Sequence, residues 1–179
     1  MFRTLILGLM VVVVSATSVN AQSLRINVYS QRDAKWKNDR MGSSSLKVGD
    51  YGCLMTCLAA ALRTTPGDLN GFLNRSGGYD SNGLLKHDVA ASFDGSGGLK
   101  YIGRSRLPSN WSAVGRGIGR GAVYVVASRR PLGSSTHWVL VYKTTRGQAY
   151  YMDPWDGTVR RVGDGWVSFN SDARLYSFR

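Results

Sequence analysis

Apolar and polar positions follow two rhythms along this chain of 179 residues, one helical and one alternating. They are preceded by an unbroken apolar run, LILGLMVVVV, over 5–14. That run is about half the length a membrane-spanning helix needs. Arg3 lies before it, and small and polar residues follow, ending in Val19-Asn20-Ala21. The pattern predicts a secretory signal peptide over 1–21, cleaved before Gln22. Residues 24–29 alternate and predict a short edge strand. A polar segment over 31–41 carries Trp36, and 42–52 is a Ser/Gly-rich loop. The next stretch, CLMTCLAAAL over 53–62, is rich in Ala and Leu, has no breaker, and predicts a helix. Thr65-Pro66-Gly67-Asp68 predicts the start of another. Threonine caps, proline suits the first helical position, and aspartate closes a weak capping box. That helix is expected over 68–74, ending at Gly77-Gly78. Shorter helices are expected over 84–93 and 110–118, with a turn at 94–98.

The rhythm then changes. Segments 122–128, 137–143, 149–153 and 158–162 are rich in Val, Tyr and Trp and are separated by Gly, Pro and Ser. They predict antiparallel strands, with a last one over 174–178. Helices first and strands second predict an α+β domain over 22–179, its N-terminal helices packed on a C-terminal antiparallel sheet. No internal repeat or linker divides it.

Charge narrows the list of partners. Lys and Arg number 23 against 11 Asp and Glu, a net +12, or +11 once Arg3 leaves with the signal peptide. Such an excess predicts diffuse attraction to an anionic cell wall or membrane surface. The bases are scattered, with no run longer than Arg129-Arg130 or Arg160-Arg161. No specific nucleic-acid partner is expected. The expected product is a secreted or periplasmic monomer.

Four features carry chemistry or imitate it. The glycine run at 115–121 is not a dinucleotide loop, because Arg120 stands where the last glycine is needed and a strand follows. It reads as a helix-ending connector. Cys53, Cys57, His87 and His137 include zinc-like Cys spacing. The histidines are far apart and unpaired, however, and His87 reads as a surface helix residue. No metal or cofactor is expected. The two cysteines of an exported chain invite a disulfide. At i and i+4 of a helix their Cβ atoms are about 5–6 Å apart, against the roughly 3.5–4.5 Å a disulfide needs. Free thiols are expected. Cys53, at a helix N-terminus behind Gly52, has the helix dipole to favour thiolate and a backbone N–H aimed at an oxyanion. Gly52 leaves room for substrate. Cys57, one turn on, reads as a buried apolar residue.

A thiolate needs a base. Strand 137–143, turn Thr144-Thr145-Arg146-Gly147 and strand 148–153 form a hairpin centred near 145.5, which puts His137 opposite Asp153 or its neighbour. A carboxylate beside the imidazole fixes its tautomer and stabilises the imidazolium. Taken alone, His137 is equally a strand-end histidine and Asp153-Pro154 a turn starter. Together with Cys53 they compose a triad. Trp138 and Trp155 adjoin two of its members and are expected to shield it.

The segments YSQRDAKW (29–36), YGCLMTCLAAAL (51–62), DLNGFLNRSGGYDSNGLL (68–85), HWVLVY (137–142) and MDPWDG (152–157) resemble the papain-like cysteine peptidases related to bacteriocin-processing, double-glycine-leader peptidase domains. They come in that family's order and span nearly all of 22–179. The resemblance implies a papain-like fold, with Cys53 as nucleophile, His137 as base and Asp153 as its orienting carboxylate. It also implies Gln31 as oxyanion donor through its side-chain amide, although Gln31 lies 22 residues before Cys53 and Lys47 occupies the position six before it. The expected activity is hydrolysis of an amide bond in a peptide or peptidoglycan-peptide substrate. The rival readings are a cell-wall amidase or endopeptidase with the same triad, a transglutaminase-like transferase, and a non-catalytic binding module on this scaffold.

Overall fold

The computed structural model describes residues 21–94, 98–129, 136–164 and 168–179, the side chains of Asn170 and Ser171 excepted. The expected signal peptide, Ala21 apart, lies outside the described residues, as do positions 95–97 of the expected turn at 94–98. In chain order the elements are β1 (Gln22–Ser23), α1 (Val48–Tyr51), α2 (Cys53–Leu62), α3 (Pro66–Arg75) and α4 (His87–Ala91). They continue with β2 (Leu99–Arg106), α5 (Trp111–Gly119), β3 (Ala122–Arg129) and β4 (Thr136–Thr145), then β5 (Gln148–Asp153), β6 (Thr158–Arg161) and β7 (Ser168–Phe178).

Among the described residues the antiparallel sheet has seven strands, in the order β2-β7-β3-β4-β5-β6, with β1 paired to β4. Helix α2 is buried at every position except Leu54, as befits a helix apolar all round. It stops at Arg63, whose left-handed φ of 56° turns its N–H back to the Ala59 and Ala60 carbonyls. Helix α3 is started by Thr65, which accepts from Asp68 N and donates to Asp68 Oδ2. Helices α2 and α3 pack with Val123, Val125, Leu140, Met152 and Tyr176 on one face of the sheet. Val114 and Ile118 of α5 pack with Tyr124, Val126, Val139 and Tyr151 on the other. The chain is therefore α+β, with helices on both faces of the sheet.

Three expectations are corrected. Segment 24–29 is not a strand. It leaves β1 as an extended arm that donates from Leu24 N to Tyr142 O and from Asn27 N to Ala60 O. The loop over 42–52 contains α1. The glycine run at 115–121 does more than end a helix. A Cβ on Gly115 would run into Thr144 Oγ1 and one on Gly117 into the Tyr124 hydroxyl, so these glycines let α5 lie close on the sheet.

The β4–β5 hairpin sets the register of the site. Its turn is tighter than expected. Thr145 pairs with Gln148, which leaves only Arg146 and Gly147 in the loop, both at positive φ (48° and 74°). That is the geometry of a two-residue type I′ turn. The ladder then slips by one residue between Val141 and Lys143, a β-bulge at Tyr142. Beyond the bulge Leu140 pairs with Met152, so continuing the register sets Asp153 level with Val139. His137, two residues further along β4, is then its diagonal neighbour on the same side. With no slip, Asp153 would stand level with Leu140 and His137 would emerge on the opposite side.

Candidate active site

The site joins the two layers of the molecule. Cys53 opens α2, while His137 and Asp153 come from β4 and the end of β5. His137 is 1% exposed and Asp153 fully buried. The imidazole Nε2 lies 2.7 Å from Asp153 Oδ1, and the ring is also hydrogen bonded to the Cys53 thiol. With Nε2 turned to the carboxylate, Nδ1 is the nitrogen left for sulfur. Burial pulls the His137 pKa down. The hydrogen bonds to Asp153 and Cys53 and their negative charge outweigh it, so the imidazole is held above its ordinary 6.5. That favours imidazolium, the form that pairs with a thiolate.

Asp153 is itself anchored. Its Oδ1 also accepts from Trp155 N at 3.0 Å. Its Oδ2 is buried, receives no hydrogen bond among the described residues, and faces Arg160 Nη1 at 3.9 Å. Arg160 donates to Asp156 through Nη1 and Nη2 and to the Thr158 hydroxyl through Nη1. The sequence reading passed over Arg160 and Asp156. The β5–β6 hairpin was the available signal, since pairing Asp153 with Thr158 brings Arg160 level with Tyr151, two residues from the triad carboxylate.

Gln31 is brought beside the site, as a link between its two halves. Its backbone N–H donates to Pro154 O at 2.6 Å, just past Asp153. Its Nε2 donates to Gly49 O at 3.0 Å and, at a longer 3.4 Å, to Val48 O, just before Cys53. Gln31 Oε1 is buried without a hydrogen bond among the described residues. The neighbouring Ser30 and Arg32 clasp the same turn. Ser30 Oγ donates to Trp155 O, and the Arg32 guanidinium sits 4.5 Å above the Trp155 ring. The segments around 31 and 155 are therefore one structural unit.

Other residues fall differently from expectation. Gly52 is glycine because a Cβ there would meet Val48 O at 2.5 Å and Val48 Cγ1 at 2.9 Å. Its missing side chain makes room for α1, not for substrate. Both thiols are free and buried. Cys57 Sγ donates to Trp138 O at 3.6 Å. Burial, then the charges of Cys53 and Asp153, push its thiol well above the usual range. Cys57 is thus a core thiol and a poor nucleophile. His87 is half-buried rather than a free surface residue. Its Nδ1 lies 2.6 Å from the Tyr176 hydroxyl and its ring stacks on Tyr101 at 4.4 Å. Among the described residues no group of three or more His, Cys, Asp or Glu is placed to hold a metal ion.

Comparison with known proteins adds no relative. No family model and no curated protein matches the chain. A cleft of about 290 Å³ opens over Cys53 and His137. Trp138 forms part of its wall and carries the Arg174 guanidinium 4.7 Å from its ring. A thiol, an imidazole and a carboxylate in a row, with a cleft at the thiol end, can generate a nucleophile and return a proton to a leaving group. No helix among the described residues is long and apolar enough to cross a membrane.

Proposed function

We propose that the chain is an exported, papain-like cysteine hydrolase that cleaves amide bonds in peptides after removal of residues 1–21. The observation that carries this reading is the imidazole held between the Cys53 thiol and the Asp153 carboxylate. His137 takes the thiol proton, and the thiolate attacks the substrate carbonyl. The Cys53 N–H, at the start of α2, and the Gln31 amide hold the oxyanion. Gln31 is fully buried with its Nε2 donating to Gly49 O and Val48 O, so in this reading it gives up the long contact to Val48 O to reach the oxyanion. His137 then protonates the leaving amine, a thioester remains on Cys53, and water releases the acyl group. Asp153 stays ionised and orients the ring.

The test is cleavage of an unbiased peptide library by the wild type and by Cys53→Ala. Cleavage that disappears in the variant supports the reading. An inert wild type whose Cys53 also ignores iodoacetamide at mildly acidic pH sinks it. The net charge of +11 over 22–179 favours a second substrate for the same triad, the peptide of an anionic cell wall. Release of new amino groups from purified peptidoglycan, compared with casein, separates the two.

A further inference from the structure

The cleft over Cys53 has one charged wall. At about 290 Å³ it is at the lower end of ligand pockets, with room for one large side chain and its flanking backbone. Leu46, Leu54, Leu84 and Leu85 give it an apolar lining. Tyr51 and Leu84 also line it, yet remain 58% and 61% exposed, large apolar surfaces that a bound side chain would cover. Apart from Cys53 and His137 themselves, Asp50 is the only ionisable acid or base among the described lining residues outside the aromatic rings.

Asp50 stands apart from most other acids of the chain. Asp153, Asp156, Asp164 and Asp172 are ion-paired, Asp33 and Asp80 accept backbone N–H groups in turns, and Asp68 accepts the Thr65 hydroxyl in a helix cap. Asp50 is exposed, and its carboxylate enters no hydrogen bond or ion pair among the described residues. It thus presents an unpaired negative charge beside an apolar slot, three residues before the nucleophile, in a chain whose net charge of +12 repels cations at long range.

We infer that Asp50 is a specificity residue, and that the cleft selects a peptide with a large apolar side chain in the slot and a lysine or arginine next to it. The inference rests on the hydrolase reading and names its substrate class. Two fields oppose each other here. The whole-protein charge favours acidic peptides but is screened beyond about 8 Å at physiological salt. The Asp50 contact is local and survives that screening.

Three peptidyl chloromethyl ketones test it, identical except for Lys, Gln or Glu beside one leucine. Each alkylates the nucleophile with loss of chloride, so the labelling rate of Cys53 reports recognition without turnover. At 0.15 M salt the wild type should take the Lys probe about twofold to fivefold faster than the Glu probe, the scale of one exposed ion pair. Asp50→Asn should bring that ratio close to one and Asp50→Lys should invert it. Far-UV circular dichroism checks that both variants are folded. A wild-type ratio at or below one overturns the inference, as does a ratio that Asp50→Asn leaves unchanged. If Cys53 reacts readily but ignores the neighbouring charge, only the specificity is lost. If neither these probes nor iodoacetamide label Cys53, the hydrolase reading falls and the inference with it.

Discussion

Arg160 and Asp156 form an electrostatic lever on the triad, and removing each should move the pH profile in opposite directions. Arg160 Nη1 is 3.9 Å from Asp153 Oδ2, while its guanidinium also grips Asp156 at 2.6 Å. Taken singly, a charge that close pulls on the carboxylate by about 4 kcal/mol at an effective dielectric of about 20. The imidazole lies on the far side of that carboxylate, hydrogen bonded to its other oxygen, so the same charge acts on it more weakly, by about half or less. Arg160 is 24% exposed and Asp156 35%, so solvent and salt reduce this to about 1 kcal/mol, or about 0.7 of a pKa unit. Arg160 repels the imidazolium and Asp156 attracts it. Arg160→Gln should therefore shift the alkaline limb of kcat/KM up by about half to one pH unit. Asp156→Asn leaves the guanidinium uncompensated and should shift it down by a similar or smaller amount. The double variant should return near the wild type. Peptide hydrolysis followed from pH 5 to 10 gives all three limbs. Shifts in the same direction, or none in either variant while the melting temperature falls, would show that the pair only clips the turn at 154–157.

Three further outcomes follow from the packing. Cys57→Ser puts a hydroxyl in an apolar site and should cost about 1–3 kcal/mol, a fall in Tm of about 3–10 °C by calorimetry, with activity per folded molecule kept. If it kills activity with Tm unmoved, the wrong cysteine has been assigned. Gln31→Ala should lower kcat by about 10²–10³ with KM nearly unchanged, because an oxyanion exists only beyond the ground state. A lower Tm with kcat intact would make Gln31 solely a link between Pro154 and Gly49. Burial and the Arg174 charge hold the His87 imidazole below 6.5, with Asp88 opposing. The unfolded chain then binds a proton near pH 6.5 that the folded one refuses. His87 contributes its stability in full above that pH and loses it as pH falls toward the folded pKa. Melting curves from pH 7.5 to 5 should fall less steeply in His87→Asn, and equal slopes would refute the point.

Much of this arrangement was legible where local chemistry decides it. The bounds of α2 follow from a breaker-free apolar run, and the start of α3 from Thr65-Pro66. The strands from 122 onward follow from Val- and Tyr-rich segments between turns. Strand β2 escaped notice because LKYIGRSR sets Gly103 and two arginines among few apolar residues, and it is held through pairing with β7, some 70 residues away. The juxtaposition of His137 and Asp153 was expected from a hairpin two residues too wide. The true turn, at Arg146-Gly147, and the bulge at Tyr142 offset one another in part. Nothing in the local pattern announces a bulge. The roles of Arg160 and Asp50 depend on which walls face the cleft and the carboxylate, and only the assembled layers decide that.

The bulge at Tyr142 gives the hairpin a parity rule. Side chains along a strand repeat every two residues, so the imidazole reaches the carboxylate only while the count between His137 and Asp153 keeps its present phase. Lengthening or shortening the loop around Arg146 by two residues leaves that phase intact. Pairing the same residues without the bulge would set Asp153 level with Leu140 and turn His137 to the far face of the sheet while every side chain of the triad is still encoded. In this hairpin the register is as much a determinant of the site as residue identity.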